Sequence, residues 1–346
     1  MQSMHEQYHI RCRAHAMPCE TWSRLTSSDN PPHHILVTIE HTDRLVFHDF
    51  VTRLVSSHRL ALIVIDEAHL ALSHDSFRDI MSTLQWLGST PCQILLISGS
   101  AGPSLVRELF AKFGITHYVI CREKTSRPNI SYNVIRSPTP TDTLHHKVLK
   151  TLSETDSGKA IIFCRSRQDA QGIAERLQVP FCHGHMTKDE INAVLKAFRT
   201  PSVCLIVSTA VLGVALDIPE LQFVFHLDYP YDMLSYIQES GRVGRDPRSC
   251  SFSYVVIPQN SHPRFPPNDR FGAKLIFDWA NNTIYCRCWL MQLFNDGVGE
   301  PCSMMTGISH LCDVCRAASL VCPKRGASNT PTADVIKKYL PLQPSS

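Results

Sequence analysis

Residues 159–178 read KAIIFCRSRQDAQGIAERLQ, an apolar run that passes directly into a stretch with the composition of a helix. The first six residues are almost entirely apolar, which is typical of a strand buried on both of its faces. The residues that follow mix charged and apolar side chains at helical spacing. Together they predict a strand and a covering helix, the unit from which parallel α/β sheets are built.

The same succession continues through most of the chain. Further strand candidates are HHILVTI (33–39), LALIVI (60–65), QILLIS (93–98), HYVIC (117–121), VCLIVS (203–208), FVFHL (223–227) and FSYVVI (252–257). Because these strands are apolar on both faces and are separated by helix-like stretches, they predict parallel sheets with helices on both sides. We therefore expect an α/β fold.

Composition limits the class of protein. Hydrophobic residues make up 43% and charged residues 19% of the 346 residues, as in a globular protein of two or three domains. The sequence contains no run of 18 apolar residues, so we expect no membrane partner, and the polar N-terminus lacks the apolar core of a signal peptide. We expect a nuclear or cytoplasmic location. The net charge of +3 does not by itself indicate a nucleic-acid partner.

Two segments rich in Pro, Ser and Thr suggest domain boundaries. One spans residues 123–145, and the other, PQNSHPRFPPNDR, follows the strand candidate at 252–257. The predicted organisation is a partial first α/β domain at 1–123 and a complete second one at 124–258. A helical, cysteine-rich module at 259–325 and a flexible tail at 326–346 complete it.

The segment LALIVIDEAHL (60–70) carries the first chemical signal. Its apolar strand ends in Asp66 and Glu67, which places two carboxylates at the C-terminal edge of a sheet, where open α/β sheets bind ligands. In nucleotide hydrolases an acid at this point holds Mg²⁺ and its neighbour orients the attacking water. A polar cap on a surface strand is the alternative interpretation of two acids alone, but the whole Asp-Glu-Ala-His string is more specific.

The segment SYIQESGRVGRD (235–246) carries the second chemical signal. Gln238, Arg242 and Arg245 are spaced by four and three residues, so on a helix or helical turn they would share one face. Two guanidinium groups that converge on one point suit a γ-phosphate. A solvated basic turn is the alternative, but Gly241 and Gly244 would let the backbone approach a ligand closely.

These motifs resemble those of the RecQ family of superfamily 2 DNA helicases. QESGRVGRD is similar to the family's motif VI, and STAVLGVALDIP (208–219) to motif V. KAIIFCRSRQDAQGIAERL is similar to motif IV, and TSRPNISYNV (125–134) to the entry into the second motor domain. SGSA (98–101) resembles the motif that couples the nucleotide site to the nucleic-acid track. The resemblance implies two RecA-like domains, the first of them incomplete here, followed by a small zinc-binding module.

The resemblance also implies an activity, ATP-dependent 3′→5′ unwinding of DNA in the nucleus, in repair and recombination. ATP and Mg²⁺ would be its cofactors and single-stranded or forked DNA its partner. The catalytic residues would be Asp66, Glu67, Arg242 and Arg245, and nucleotide binding would involve Asp66, His69, Gly213, Asp217 and Gln238. Two alternatives are a non-catalytic DNA- or partner-binding protein and a DEAD/DEAH-type RNA helicase. The wording of motif VI and the cysteines that follow it argue against the RNA helicase.

Six of the 14 cysteines fall between Cys286 and Cys322, a clustering that suggests metal in a reducing compartment. The pattern CRC…C…HLCDVC has the content of a structural zinc site. The RecQ resemblance selects Cys286, Cys302, Cys312 and Cys315 as Zn²⁺ ligands. The nine-residue gap between Cys302 and Cys312 leaves Cys288, His310 or Cys322 open as substitutes, and buried free thiols are the alternative without metal.

A phosphate-binding loop of the form G-x-x-x-x-G-K-[ST] does not occur in these 346 residues. The nearest string, Gly158-Lys159-Ala160, leads into a strand and lacks the hydroxyl. We therefore expect the chain to begin inside the first motor domain and to be impaired in ATP turnover.

Overall fold

The structure is a computed structural model of the whole chain. It describes residues 8, 12, 14, 15, 17–22, 30–72, 84–155, 158–213, 218, 220–246, 249–261, 263–267, 269–307 and 310–321. The chain divides into two compact units, residues 2–123 and residues 124–346, which are described separately below.

The second unit is built on a six-stranded sheet that is parallel throughout. Its strand order is β5-β10-β9-β6-β8-β7, so the chain passes from one edge at β5 through β6 to the other edge at β7 and then returns through β8, β9 and β10. The strands are β5 (Ile130–Ser137), β6 (Lys159–Cys164), β7 (Phe181–Cys182), β8 (Leu205–Ser208), β9 (Leu221–Leu227) and β10 (Ser251–Pro258). The α/β prediction, with a RecA-like parallel sheet, is confirmed.

Helices cover both faces of this sheet, as buried parallel strands require. They are α3 (Pro140–Ser153), α4 (Arg167–Leu177), α5 (Lys188–Phe198) and α6 (Met233–Ser240), with a short 3-10 helix at Ala210–Gly213. Alternate residues of β6 enter opposite cores. Ile161 and Phe163 join the core that contains Trp279, whereas Ile162 joins the core that contains Leu144.

Local sequence explains where two of these helices begin. Ser166 caps α4 by accepting a hydrogen bond from the backbone N–H of Asp169. Thr187 and Glu190 form a reciprocal capping box at the start of α5. Each cap satisfies backbone donors that the first turn of a helix leaves without a partner.

The segment after the sheet packs on the same unit. It forms α7 (Ala273–Asn281), α8 (Arg287–Asp296) and α9 (Asp313–Val321). Buried side chains of α7 and α8 belong to the core on one face of the sheet. At the edge of the sheet, the hydroxyl of Ser131 on β5 donates to the carbonyl of Leu311, and the backbone N–H of Val134 donates to the carboxylate of Asp313.

In the first unit, the described strands form two separate parallel pairs. β1 (Cys19–Thr21) pairs with β2 (His34–Leu36), and β3 (Leu62–Ile65) pairs with β4 (Gln93–Leu96). Its longer helices are α1 (Leu45–Ser56) and α2 (Pro103–Lys112), with 3-10 helices at Ile39–His41, Ala68–Leu72 and Gln85–Ser89. On one face of the β3–β4 pair the apolar side chains of Leu62, Val64 and Leu95 are exposed.

Two secondary-structure predictions were wrong. The segment 117–121 is not a strand, and Val119 within it is 87% exposed. Apolar composition alone does not make a strand, because a strand also needs a neighbour for its backbone hydrogen bonds. The second error is an omission: β5, which pairs with β10 along its whole length, is not among the predicted strands. It lies within the segment 123–145, where a domain boundary was predicted and where the second compact unit begins at residue 124.

Among the described residues, no helix combines the length and the apolar composition that a membrane crossing requires.

Candidate functional site

The acidic pair at the end of β3 has a distinctive backbone. Asp66 accepts a hydrogen bond of 2.9 Å from the backbone N–H of Glu67, whose φ of 49° lies in the left-handed region. A non-glycine residue rarely adopts this conformation, and such residues cluster at functional sites. Asp66 is exposed and Glu67 half-buried at the C-terminal end of the strand, as predicted from the sequence. Both carboxylates are therefore accessible to a ligand of the first unit.

His69 links this acidic turn to the next strand. Its Nδ1 lies 2.8 Å from the hydroxyl of Ser98 and 3.3 Å from a carboxylate oxygen of Glu67. The imidazole is only 1% exposed, and this burial lowers its pKa to about 4. His69 is therefore neutral at physiological pH and connects the acidic turn with the SGSA segment by a hydrogen bond. That contact is the physical link between two motifs that the sequence places 29 residues apart.

The second group of candidate residues follows β9. Gln238 lies on α6, which ends at Ser240, and Arg242 lies in the turn just beyond it. Gly244 then adopts a φ of 66°, which ends the helical path before Arg245. The prediction of one shared helical face is therefore wrong for Arg245, because a left-handed residue redirects the chain in front of it.

Two side chains that precede β5 hold the loop that carries these arginines. The amide of Asn129 donates to the carbonyls of Gly244 at 2.8 Å, Asp246 at 3.1 Å and Ser249 at 3.3 Å. The guanidinium of Arg127 donates to the carbonyl of Val243 at 3.0 Å. Sequence reasoning quoted the segment TSRPNISYNV but assigned these residues no role. The signal that the sequence offered is that Arg127 and Asn129, two polar hydrogen-bond donors, flank Pro128 just before β5.

A buried hydrogen bond between two side chains fixes the helix that carries Gln238. His226 on β9 and Glu239 on α6 are both buried, and Nε2 of the imidazole lies 3.0 Å from a carboxylate oxygen of the glutamate. Asp232 caps the start of the same helix by accepting from the backbone N–H of Ser235, and desolvation raises its pKa to about 6. Neither contact was predicted, because histidine and glutamate carry no sequence pattern that marks them as buried partners.

Two candidate nucleotide-binding residues were expected in the segment after β8. Gly213 ends the short 3-10 helix that begins at Ala210. Asp217 lies outside the described residues.

Four cysteines come together beside the sheet edge. The sulfur atoms of Cys286, Cys302, Cys312 and Cys315 all lie within 4.8 Å of one another, and all four residues are buried. This thiol group could hold a metal ion, because four sulfurs at about 2.3 Å from a zinc would lie about 3.8 Å apart. His310 is not one of its members and packs its ring against Phe252 instead. Cys322 lies outside the described residues.

The surroundings of these sulfurs suit thiolates. The backbone N–H of Cys302 donates to the sulfur of Cys286 at 3.2 Å, and that of Cys315 donates to the sulfur of Cys312 at 3.5 Å. Hydrogen bonds from neighbouring sulfurs, led by that of Cys286, hold the pKa of Cys312 well below its usual range. Hydrogen bonds with the sulfurs of Cys288, Cys302 and Cys315 lower the pKa of Cys286 to about 4, whereas the hydrogen bond with Cys286 leads the causes that raise the pKa of Cys302 to about 12. Donors aimed at sulfur favour the charged form that metals bind.

A buried arginine joins the two segments that bring these cysteines together. Arg287 is the first residue of α8 and follows Cys286 directly, and its Nη2 donates at 2.9 Å to the carboxylate of Asp313, the neighbour of Cys312. The same guanidinium donates to the carbonyl of Trp279 and lies 4.9 Å from the centre of its ring. Sequence reasoning had not given Arg287 or Asp313 a structural role.

Comparison with known proteins identifies the class. A model of the helicase conserved C-terminal domain matches residues 143–247, which include Gln238, Arg242 and Arg245. The DUF1998 helicase MrfA, in a crystal structure with DNA, shares the fold. The two structures superpose with a TM-score of 0.57 at 16% sequence identity, and the match covers 81% of this chain and 44% of that protein. The second unit therefore contains a helicase C-terminal domain of RecA-like architecture.

Sequence relatives narrow the class further. The chain is 28% identical over 294 residues to an ATP-dependent DNA helicase Q1 of Caenorhabditis briggsae, covering 81% of this chain and 46% of the relative. It is 26% identical over 285 residues to ATP-dependent DNA helicase RecQ of Pasteurella multocida, covering 76% and 43%. The resemblance inferred from the motifs is confirmed: this chain is similar to RecQ-like superfamily 2 helicases over most of its length. It spans less than half the length of these two relatives.

Proposed function

We propose that this chain binds DNA and a structural zinc ion as part of a RecQ-like, ATP-dependent 3′→5′ DNA helicase. Residues 1–123 would be part of the first motor domain and 124–258 the second, followed by a zinc-binding module at 259–325 and a tail at 326–346. One observation carries the proposal: four buried thiols lie in the same compact unit as the helicase C-terminal domain. Relatives named as DNA helicases match 81% and 76% of the chain.

Zinc is the metal that best suits the thiol group. Four thiolates form a closed tetrahedral shell, which leaves no position for a water molecule and hence no hydrolytic role. Cys312 and Cys315 lie at the start of α9, whereas Cys286 lies at the start of α8. A metal held by these cysteines and by Cys302 would join the two helices and the loop between them. In a module with a small core, metal binding can supply much of the free energy of folding.

Each of the two units carries residues whose chemistry suits a bound nucleotide. When bound, ATP with Mg²⁺ would supply a phosphoanhydride bond whose hydrolysis drives unwinding. Asp66 would hold the metal ion, and Glu67 would orient the attacking water. His69 would couple that acidic turn to Ser98, as its hydrogen bond indicates. In the second unit, Gln238, Arg242 and Arg245 would contact a γ-phosphate, and Gly213 and Asp217 would contribute to nucleotide binding.

These 346 residues, on their own, should turn over ATP poorly. Phosphoryl transfer depends on positioning and on charge stabilisation from several groups at once. Without a phosphate-binding loop in the sequence, the arginines alone cannot position the nucleotide. A nuclear role in DNA repair and recombination would follow from the RecQ resemblance and belongs to the same proposal.

Fluorescence anisotropy tests the partner. Labelled single-stranded DNA, forked DNA and a single-stranded RNA of the same sequence are titrated with the full chain at several salt concentrations. We expect DNA to bind more tightly than RNA, with an affinity that falls as salt rises, because phosphate contacts release counterions. Tighter binding of the RNA would favour the RNA helicase alternative and contradict the proposal.

ATP hydrolysis with and without single-stranded DNA tests the impairment. We expect a rate near background for the chain and for its Glu67→Gln variant alike. A DNA-stimulated turnover of about 1 s⁻¹ is ordinary for an enzyme. If the chain showed such a turnover and the Glu67→Gln variant lost it, the proposed impairment would be refuted, whereas the proposed DNA binding would still stand.

Metal analysis tests the zinc site. The purified chain should contain zinc, and Cys312→Ser should lose it and unfold the module while the parallel sheet persists. Cys204→Ser, which changes an exposed cysteine of the same unit, is the matched control and should keep its zinc. Wild-type chain purified without zinc, and unable to bind added zinc, would contradict the site.

A further inference from the structure

Two aromatic residues of β10 lie half-buried on one face of the sheet. Phe252 and Tyr254 alternate along the strand, and their ring centres lie 6.2 Å apart with planes inclined by only 11°. Phe223 lies 5.8 Å from the Phe252 ring and Phe225 lies 5.2 Å from the Tyr254 ring, both nearly parallel to them. Because neighbouring rings cover their faces, the two side chains expose mainly their edges, which carry the positive end of the aromatic quadrupole.

Two cations from different helices border these rings. Nζ of Lys147, on α3, lies 4.3 Å from the centre of the Tyr254 ring. Asn133 lies opposite Tyr254 on the neighbouring strand β5, and its Oδ1 accepts a hydrogen bond of 2.8 Å from Nη2 of Arg316, on α9. Since paired strands are about 4.8 Å apart, the sheet brings both cations near the same aromatic ring. We call Lys147, Phe252, Tyr254 and Arg316 the basic strip.

The positive charge of the basic strip is not neutralised locally. In the described part of the chain, neither Lys147 nor Arg316 has a carboxylate within ion-pair distance. Glu154, two helical turns beyond Lys147, pairs instead with Lys150 at 3.8 Å. Two cations without a carboxylate partner, beside the positive edges of two rings, produce a local potential that favours an anionic ligand.

The covered ring faces decide between two kinds of anion. Proteins that bind single-stranded nucleic acid combine cations with aromatic faces on which the bases stack. The rings of the basic strip do not offer such faces. A carboxylate, in contrast, needs only a cation and the edge of a ring. In an extended peptide, alternate side chains lie on one side about 7 Å apart, so two acidic residues can each meet one of the two cations.

We infer that the basic strip binds an extended acidic segment of a partner protein, with carboxylates on Lys147 and Arg316. This inference goes beyond the proposed binding of DNA and zinc and depends on neither.

Fluorescence anisotropy with a short labelled peptide tests the inference. In the probe, Asp and Ser alternate, and in the control peptide Asn replaces every Asp. The full, zinc-saturated chain is compared with its Lys147→Gln, Arg316→Gln and double variants at low salt. Lys150→Gln is the matched control, because it removes the same charge from the same helix outside the basic strip. Thermal midpoint and zinc content are measured for every variant, since Arg316 follows Cys315 directly.

We expect the wild type to bind the Asp peptide and not the Asn peptide. Each single variant of the basic strip should weaken binding by about two- to fivefold, the range of an exposed ion pair. The double variant should weaken it by about the product of the two, and Lys150→Gln should bind like the wild type. Single-stranded DNA should bind Lys147→Gln as it binds the wild type.

Three results would overturn the inference: no binding of the Asp peptide by the wild type, equal binding of the Asn peptide, or undiminished binding by Lys147→Gln. Lys147→Gln decides by itself if Arg316→Gln fails to fold, because Lys147 contacts the basic strip through the Tyr254 ring alone among the described residues. A Lys147→Gln chain that lost affinity for DNA but not for the peptide would identify a nucleic-acid contact and overturn the inference as well.

Discussion

Replacing Arg287 by Met should destabilise the second unit strongly. The side chain is 4% exposed, and its guanidinium donates to the carboxylate of Asp313 and to the carbonyls of Trp279 and Asn282. Methionine fills a similar volume but leaves the Asp313 carboxylate, whose side chain is 21% exposed, without its cationic partner. Removing one partner of a buried ion pair costs about 3–5 kcal/mol, and the partial exposure of Asp313 places the loss near about 3 kcal/mol.

Thermal denaturation of the zinc-saturated chain measures this loss. For a unit of this size each kcal/mol lowers the midpoint by about 2–4 °C, so we expect a decrease of about 6–12 °C. Excess zinc is kept constant in every sample, because bound metal itself shifts the midpoint. Arg287→Lys keeps the charge but not the planar fork of donors, and it should give an intermediate decrease.

Lys274→Met is the matched control, since it breaks an ion pair in the same part of the chain. Lys274 contacts Asp278 at 2.7 Å, one helical turn away on α7, and its side chain is 56% exposed. An exposed pair of this kind contributes about 0.5 kcal/mol or less. If Arg287→Met lowered the midpoint no more than Lys274→Met, the assignment of Arg287 as the buried connector of the two cysteine segments would be wrong.

Two further predictions concern the nucleotide-binding segments. Gly244→Ala should lower the free energy of unfolding in urea by about 1–3 kcal/mol, because φ is 66° and the new Cβ would stand 2.7 Å from Nδ2 of Asn129. The control is Gly172→Ala, in open space on α4, which should be neutral or stabilising. Equal losses in the two variants would contradict the role of Asn129 in holding the loop that carries the arginines. Because burial lowers the pKa of His69 to about 4 from 6.5, its contribution to stability is complete above about pH 6.5, declines below it and is lost by about pH 4, a change on the order of 3 kcal/mol. The hydrogen-exchange protection factors of residues 62–72, which already account for the slower intrinsic exchange at low pH, should therefore decrease on acidification in the wild type more than in His69→Gln. An equal decrease in the two proteins would count against a buried neutral imidazole.

Strands with a continuous apolar run could be predicted from the sequence because their composition reflects burial on both faces. KAIIFC, VCLIVS and FVFHL lie at the centre of the sheet as β6, β8 and β9. β5 was missed, since its segment follows a Pro- and Ser-rich stretch and carries two asparagines and three serines within or beside the strand. Two of these polar residues, Ser131 and Asn133, are buried and contact the segment after the sheet. Ser131 donates to the carbonyl of Leu311, and Asn133 accepts from Arg316, contacts that no local pattern can reveal.

In the candidate sites, too, the sequence predicted some features and not others. The Asp-Glu-Ala-His string, the Gln-Glu-x-Gly-Arg string and the cysteine spacing each indicated a chemistry, because the residue types are matched to phosphate, Mg²⁺ or zinc. The connections between segments were not predictable. The bonds from His69 to Ser98, from Asn129 to Gly244 and from Arg287 to Asp313 join residues 29, 115 and 26 positions apart.

The sequence by itself therefore determined the α/β class, the RecQ resemblance and the residues with chemistry to offer. Only the tertiary structure decided which side chains hold those residues in place, that Arg245 leaves the helical path at Gly244, and which four cysteines form the thiol group. The physical reason is that composition and spacing record what each residue can do locally. Burial, backbone pairing and hydrogen bonds between distant segments depend instead on how the chain returns to itself in three dimensions.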